Sequence, residues 1–316
     1  MSSDLRITVA GVGGAGGQCV QRMVDDGLSG IRCIAFNTDW TSLALLTVPI
    51  RVRIGEHLTR GLGAGGRQEL GARAAEDARE VIRQALDAPD LTFVVAGLGG
   101  GTGTGAAPVV ARIARETGAL TVGVATFPFA FEGARRRRIA GEGLLAFRES
   151  VHTLIVIPDE SALGLIDPHS TTILGAFKAI DGIVSRAVRC IADLARPGLL
   201  LVDLDVATSI LARGGSARFG FGEAGGEGRA QHAAEGALAC PLLGVPLVEA
   251  AGLIVNVTGG PDLALIEVKE AVEAVVGAAR PDPQLVYGTY CEEAMAGRVR
   301  VSVVATGLPR MFAEGL

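Results

Sequence analysis

The chain has 316 residues, of which 20% are charged and 49% hydrophobic, a composition typical of a folded globular protein that excludes extensive disorder. Its net charge is −5, and an acidic chain is not suited to non-specific nucleic-acid binding. The length allows about two domains with a sizeable core. The glycine content departs from this typical composition, because the 45 glycines are about 14% of the chain, roughly twice the usual share.

The five cysteines are scattered along the sequence, and no pair has a spacing typical of a metal site. An odd number of cysteines in a chain of this length is typical of free thiols in a reducing compartment. The sequence shows neither a signal-peptide pattern nor an apolar run of the roughly 20 residues that a membrane span needs. We therefore expect a cytoplasmic protein without direct membrane binding and without a metal site made of side chains alone.

The first half of the chain alternates short apolar runs with helix-like segments. We predict strands at 5–11, 31–37, 91–98, 120–126 and 151–158, and helices at 17–26, 68–87 and 106–117. This alternation is typical of βαβ units and of a parallel sheet covered by helices on both faces. Ligands bind such sheets beyond the carboxyl ends of the strands, which is where the glycine clusters lie.

The second half begins with a long predicted helix at 173–193, which ends before Pro197 and Gly198. Beyond it we predict strands at 199–204, 252–258, 284–290 and 298–306, and helices at 206–213, 229–239 and 263–279, with a glycine-rich turn after the first of these helices. The predicted fold class is α/β: an N-terminal Rossmann-like domain with a parallel sheet, a long central helix, and a smaller C-terminal α/β domain with a mixed sheet.

A first glycine cluster, GVGGAGG at 11–17, follows the first predicted strand and opens a helix. Glycines let the backbone approach a ligand closely, and the free N–H groups of a helix N-terminus bind anions. Alone, the cluster fits the dinucleotide-binding pattern GxGxxG, with Asp39 at a distance suited to a ribose contact. The alternatives are a tight turn without a ligand for the cluster, and turn capping for Asn37 and Asp39.

A second cluster, GGGTGTG at 99–105, also follows a buried strand and precedes a helix. Its small residues and two hydroxyls can wrap a di- or triphosphate. An NAD-dependent Rossmann oxidoreductase has no use for a second phosphate-binding segment at this strand. A third segment, 61–66, is placed to approach the terminal phosphate. A P-loop is excluded, since the only lysines, Lys178 and Lys269, lie outside these clusters. The three segments together indicate a nucleoside triphosphate.

GGGTGTG is the signature of the tubulin superfamily, and its context resembles the FtsZ family of bacterial cell-division GTPases. The resemblance includes FNTD at 36–39, LTRGLGAG at 58–65, FEG at 131–133, HTLIVIP at 152–158 and NVTGGPDL at 256–263. It implies a GTP-binding domain at 1–172, a central core helix at 173–196, a C-terminal GTPase-activating domain at 197–310 and a short tail at 311–316. It also implies GTP and GDP as ligands, with Mg²⁺ held mainly through the phosphates.

The resemblance further implies which residues bind the nucleotide. For the phosphates and their surroundings they are Gly13, Gly14, Ala15, Gly16, Gly17, Gln18, Gly65, Gly66, Gly100, Gly101, Thr102, Gly103 and Thr104. For the rest of the nucleotide they are Asn37, Asp39, Glu132, Arg136, Phe177 and Asp181. Family members usually have an asparagine where Gln18 stands, so this contact departs from the family pattern.

Phe177 and Asp181 lie four residues apart on the long helix and share a face. In the family, a ring there stacks on the base while the carboxylate accepts hydrogen bonds from guanine. Core packing is the alternative for Phe177. For the arginines that flank Arg136 in the run 135–138, the alternative to phosphate binding is a solvated, charged helix face.

The segment expected to hydrolyse GTP departs from the family. In FtsZ-like proteins this loop acts on the nucleotide of the next subunit and usually reads N-x-D-x-x-D after Pro-Gly. Here Asp203 matches the first acid, Leu201 and Val206 replace the asparagine and the second acid, and Asp205 falls one residue early. A one-residue slip turns a side chain to the other face of an extended segment, although a gap near Gly214 would compensate for it. We expect Asp203 and Asp205 to be catalytic and hydrolysis to be slow.

These observations predict a GTPase that assembles head to tail into filaments, because a heterologous contact that does not close extends indefinitely. The altered loop and the short tail motivate an alternative, a non-polymerising regulator of a paralogous FtsZ filament. An NAD-dependent Rossmann oxidoreductase is the other alternative. The expected partners are copies of this chain or a paralogous filament, without nucleic acid, and the expected location is the cytoplasm at the division site.

Overall fold

A computed structural model describes residues 5–28, 30–167, 170–195 and 204–308. The chain divides into two compact units, Met1–Ser185 and Arg186–Leu316. The predicted tail at 311–316, Asp203 and most of the predicted strand at 199–204 lie outside the described residues. Leu204, the last residue of that predicted strand, is helical. Among the described residues, no helix combines the length and the apolar character that crossing a membrane requires.

Within the described residues, the first unit contains a six-stranded parallel sheet with the order β3-β2-β1-β4-β5-β6. Its strands are β1 Ile7–Val12, β2 Arg32–Asn37, β3 Ile50–Arg53, β4 Leu91–Gly97, β5 Leu120–Phe127 and β6 Thr153–Pro158. Strands β1 and β6 are buried along their whole length, as a sheet covered on both faces requires. Because the strands are parallel, their carboxyl ends meet at one edge.

Helices cover this sheet. They are α1 Gly13–Asp25, α2 Trp40–Ala44, α3 Glu56–Thr59, α4 Gln68–Asp77, α5 Arg79–Leu86, α6 Gly101–Glu116, α7 Ala134–Ser150, α8 Asp159–Leu163 and α9 Ile173–Ala192, which continues into the second unit. The single helix predicted at 68–87 is wrong, because the chain leaves helical geometry at Ala78 (φ −97°, ψ 14°) and separates α4 from α5.

Most of each glycine cluster, 13–17 and 101–105, is the start of a helix rather than a loop that precedes one. Helix α1 begins at Gly13 and α6 at Gly101, whereas the sequence predicted starts at 17 and 106. Glycine is needed in the first turns of these helices because the turns pack closely against the ends of neighbouring strands. A Cβ at Gly103 would lie 2.5 Å from the carbonyl oxygen of Gly97, and one at Gly16 would collide with the carbonyl oxygen of Val95.

In the described part of the second unit, four strands form a mixed sheet with the order β7-β10-β8-β9. These strands are β7 Gly215–Gly225, β8 Gly252–Gly259, β9 Gln284–Cys291 and β10 Arg298–Leu308, and the helices are α10 Leu204–Ala212, α11 Arg229–Leu238 and α12 Leu265–Gly277. Strand β10 runs antiparallel to β7 and β8, while β8 and β9 are parallel. Alanines of α11 pack on valines of β8 and β10 to form its core. The predicted fold class, including this smaller domain with a mixed sheet, is confirmed.

The segment predicted as a glycine-rich turn contains the eleven-residue strand β7. The glycines of β7 do not form a turn; they allow helix α11 to pack closely against the strand. A Cβ at Gly222 would collide with the carbonyl oxygen of Ala233 and lie 2.5 Å from the nitrogen of Ala237, both on α11. Glycine inside a strand often marks such a close backbone approach.

We expect Gly222→Ala to lower the free energy of unfolding by about 1–3 kcal/mol, because α11 must move away from β7 to admit the methyl group. Urea unfolding followed by circular dichroism measures the change. Gly277→Ala at the end of α12 is the matched control, since its methyl group meets no atom within 4 Å. Equal losses in the two variants would contradict the steric explanation.

Candidate functional site

The two glycine-rich helix starts lie side by side at the edge where the parallel strands end. Gly13 has a φ of +76°, and a Cβ there would lie 2.7 Å from the nitrogen of Gly103. Helices α1 and α6 therefore bring two N-termini, each with free N–H groups and a positive dipole end, to one surface. This arrangement can bind a group with several negative charges.

The third glycine-rich segment, 61–66, contacts the second. A Cβ at Gly101 would lie 2.8 Å from the Cβ of Ala64. Gly65 and Gly66 have φ values of +56° and +72°, and no atom lies within 4 Å of the positions that their Cβ atoms would take. The structure thus brings all three predicted segments together and leaves open space beside the third.

The two threonines of GGGTGTG have partners within the protein. The hydroxyl oxygens of Thr102 and Thr38 are 2.6 Å apart, and the Gly99 N–H donates to Thr104 Oγ1 at 2.8 Å. Both side chains are buried. These hydrogen bonds fix the shape of the segment, and each hydroxyl keeps only its remaining hydrogen-bonding capacity for a ligand.

Asn37 and Asp39 cap turns at the end of β2, which was the alternative to a ligand contact. Asn37 Oδ1 accepts from the Asp39 N–H at 3.2 Å, and Asp39 accepts from the N–H and the hydroxyl of Ser42 at 3.0 and 2.8 Å. The hydrogen bonds from Ser42, first that of its N–H, lower the pKa of Asp39. Gln18 is exposed on α1.

A pocket in the first unit adjoins the start of α1 and the face of α9. Its lining includes five predicted residues, Ala15, Glu132, Arg136, Phe177 and Asp181. Seven other residues also line it, and two of them, Cys19 and Asp159, carry titratable groups that the sequence analysis missed. Across its rim the Arg136 Nε lies 3.1 Å from a carboxylate oxygen of Glu132. Glu132 also accepts a hydrogen bond from the Phe129 N–H at 3.1 Å.

The ring of Phe177 is not packed in the core. The residue is 41% exposed and meets Phe129 edge-on, with 6.0 Å between ring centroids and an interplanar angle of 68°. The core-packing alternative is therefore wrong, and the ring is available to stack on a planar ligand. Arg138, by contrast, pairs with Glu142 along the exposed face of α7, as the charged-face alternative predicted.

Asp181 is held by a thiol. The Cys19 Sγ–H donates to Asp181 Oδ1 at 2.9 Å. Burial, followed by the negative charge of Asp181, raises the pKa of Cys19 well above its ordinary value, so the thiol keeps its proton. Burial also raises the pKa of Asp181, and the hydrogen bond from Cys19 opposes this effect. No sequence signal distinguished Cys19 from an ordinary buried cysteine of α1.

Asp159 immediately follows β6 at the same sheet edge and is 5% exposed. Burial, followed by the charge of Glu132, raises its pKa to about 8, which Arg136 opposes and Asp181 and Glu160 reinforce. Its Oδ1 is buried and has no hydrogen-bond partner among the described residues. The signal that could have identified it was its position, since Asn37 and Asp39 were selected because they follow a parallel strand.

Of the two predicted catalytic acids, Asp203 lies outside the described residues and Asp205 is exposed in the first turn of α10. A shift of one residue turns a side chain to the opposite face only in an extended segment, whereas Asp205 is helical. In a helix, side chains of consecutive residues are about 100° apart, so the strand argument does not apply to Asp205.

Comparisons with known proteins extend over both units. A family model described as "Tubulin/FtsZ family, GTPase domain" matches residues 6–167, and one described as "FtsZ family, C-terminal domain" matches residues 215–309.

Solved structures of similar chains include an empty FtsZ dimer from M. jannaschii, with 39% identity and a TM-score of 0.93 over 96% of this chain and 89% of that chain. A mutant of the same FtsZ gives the same identity and TM-score over 96% and 92% of the two chains. CetZ2 from Haloferax volcanii, solved as a GTPγS-bound protofilament, is 25% identical with a TM-score of 0.79 over 97% and 94%.

Gly14 and Gly100 test whether phosphates occupy the open space at the helix starts. A methyl group at either position meets no protein atom within 4 Å, so Gly14→Ala and Gly100→Ala should fold normally. We expect each to weaken nucleotide binding about tenfold or more, because the methyl group keeps phosphate oxygens from the backbone N–H groups. Titration calorimetry measures this. Gly141→Ala on α7, also in open space, is the control, and unchanged affinity in all three variants would refute the assignment.

The raised pKa of Asp159 predicts a pH-dependent stability. The folded protein keeps this proton up to about pH 8, whereas the unfolded chain releases it near the ordinary value of 3.8. The stabilisation is therefore complete below that ordinary value and is lost as the pH rises toward 8.

Without nucleotide, we expect Asp159→Asn to melt at the wild-type temperature near pH 4 and on the order of 10 °C above it at pH 8, because a pKa raised from 3.8 to about 8 is worth several kcal/mol over this range. Thermal unfolding at a series of pH values measures the difference. Glu160→Gln, which removes an exposed carboxylate from the adjacent position, serves as the control. A difference that does not change with pH would show that Asp159 is ionised throughout this range.

Proposed function

Because the chain belongs to the tubulin/FtsZ family, we propose that it binds GTP and GDP and assembles head to tail into filaments that hydrolyse GTP slowly. The observation that carries the proposal is the pocket in which Phe177 and Asp181 lie beside the two glycine-rich helix starts. Such a site offers a stacking surface, a carboxylate acceptor and anion-binding N–H groups to one ligand.

Guanine would be recognised by Phe177 and Asp181 together. The exposed ring supplies the stacking surface, and the carboxylate accepts from the N1–H and N2–H groups of guanine. The Cys19 thiol holds Asp181 Oδ1 from the protein side and so orients the carboxylate. Adenine offers no N1–H donor, and it would leave the Asp181 carboxylate without its partner.

The phosphates would lie on the surface formed by the starts of α1 and α6, with Gly65 and Gly66 beside them. Among the described residues, no cluster of His, Cys, Asp and Glu side chains is suited to hold a metal ion. Mg²⁺ would therefore be held mainly by phosphate oxygens, where it neutralises charge during phosphoryl transfer.

Self-assembly is supported by the FtsZ dimer and the CetZ2 protofilament among the similar structures. Apolar side chains that a second copy could cover lie beside the site, since Leu62 is 85% and Phe131 73% exposed. The second unit offers exposed Leu265 and Ile266 at the start of α12. A head-to-tail contact between these different surfaces would not close and would extend into a filament.

We place hydrolysis with Asp203 and Asp205 of the adjacent subunit, where they would polarise the attacking water. The loop lacks the asparagine and the spacing of the usual family pattern, and the loss of one water-positioning group commonly costs ~10²-fold in rate. We also propose action in the cytoplasm at the division site. The altered loop favours one second candidate, a non-polymerising regulator of a paralogous FtsZ filament.

The test is phosphate release from GTP with Mg²⁺ at increasing protein concentration, together with sedimentation. We expect a rate per subunit that rises cooperatively, because each site is completed by a neighbour. Asp203→Asn and Asp205→Asn should lower the rate about 10–100-fold while GTP affinity is unchanged. Thr208→Ala, exposed on the same helix as Asp205, is the matched control.

The outcomes separate the two candidate functions. A rate that is independent of concentration and an absence of GTP-dependent pelleting, combined with altered pelleting of an FtsZ filament, would replace the filament proposal with the regulator. Failure of the wild-type protein to bind GTP or GDP would overturn both.

A further inference from the structure

Besides the carboxyl groups of Asp181 and Glu132, the pocket contains a third, that of Asp159, which has no role in the guanine recognition proposed above. Asp159 and Asp181 line the same pocket with Phe177. Asp181 already has a protein partner in Cys19, whereas Asp159 Oδ1 has none among the described residues. A buried polar oxygen without a partner costs free energy, and in native proteins such atoms nearly always have one.

The surroundings of Asp159 disfavour its anion. Glu132 from the turn before α7, Asp181 from α9 and the adjacent Glu160 all carry negative charge toward it, while Arg136 from α7 is the opposing cation. Arg136 is engaged with Glu132 at 3.1 Å, and Glu160 accepts from the Ala130 N–H at 2.6 Å. Burial and these neighbours raise the pKa of Asp159 to about 8. At neutral pH the group is therefore largely a carboxylic acid, which can donate as well as accept.

We infer that Asp159 contacts the bound nucleoside as a neutral carboxylic acid and donates its proton to an acceptor atom of the base or ribose. The inference rests on the proposed nucleotide binding and adds a specificity-determining residue to it. A donor complements the acceptor that Asp181 provides on the same ligand. A second anion would instead be repelled by Asp181 and by the phosphates.

This assignment couples nucleotide binding to a proton. The phosphates bring further negative charge, so the bound state favours the protonated form of Asp159 more strongly than the free protein does. Where Asp159 is partly ionised in the free protein, binding must take up a proton. Affinity then falls as the pH rises through the pKa, because only the protonated fraction is competent to bind.

The first test measures the dissociation constant of GDP at intervals between pH 7 and pH 9 for the wild type, Asp159→Asn and Glu160→Gln. GDP avoids turnover, and the ratio of wild-type to Asp159→Asn values removes the titration of the nucleotide itself. We expect this ratio to rise about tenfold over the range, because asparagine keeps an N–H donor but does not titrate. Glu160→Gln should retain a pH-dependent affinity with its midpoint moved to a lower pH, because one of the charges that raise the pKa of Asp159 is removed.

The second test counts the protons directly. The enthalpy of GDP binding at pH 8, measured in buffers of different ionisation enthalpy, gives the number of protons exchanged. We expect an uptake of about half a proton per nucleotide by the wild type. Asp159→Asn, where it folds, should show none.

Parallel pH profiles for the wild type and Asp159→Asn, or a net release of protons by the wild type, would overturn the assignment while nucleotide binding itself stands. Loss of GDP binding by the wild type at pH 7 would instead remove the proposed function and this inference with it. The two failures are therefore distinguishable.

Discussion

The close contact of glycine backbone with glycine backbone at the carboxyl edge of the first sheet is the constraint on which the site depends. Gly13 touches Gly103, and Gly103 lies against the end of β4 at Gly97. Any side chain at these positions would separate α1 from α6 and move their N-termini apart. At these positions glycine is required, since only glycine lets the backbone of one element come so close to that of another.

The pocket beside this surface brings several carboxyl groups together. Three carboxyl groups, those of Glu132, Asp159 and Asp181, share it. Each is moderated differently, by an ion pair with Arg136, by retention of a proton, and by a hydrogen bond from the Cys19 thiol. These arrangements reduce the mutual repulsion of the three carboxyl groups and, under the proposed function, their repulsion of the phosphates.

The buried parallel strands and the family were predictable from sequence, because apolar runs and the GGGTGTG motif report them directly. Two predicted elements were wrong, the single helix at 68–87 and the glycine-rich turn, and the second depended on tertiary contact. The break at Ala78 lies within a regular amphipathic pattern, and the glycines of β7 look like a turn until α11 is seen packed on them. Within the site, Asn37 and Asp39 were selected because they follow a parallel strand, and they cap turns. Asp159 also follows a parallel strand but was not selected. The hydrogen bonds distinguish these cases, since Asn37 and Asp39 accept from neighbouring N–H groups whereas Asp159 Oδ1 has no partner among the described residues.

The pocket residues lie in the first 185 residues of the chain, and Asp181 is the last of them. Domains generally fold as units during synthesis, with the N-terminal one first. No pocket residue therefore has to await translation of the second unit. A nucleotide present in the cell can act as a folding ligand for the nascent chain, since a ligand that binds only the folded form stabilises it by mass action. The order of the pocket residues along the chain thus means that the proposed nucleotide site is fully translated before the surfaces of the second unit exist.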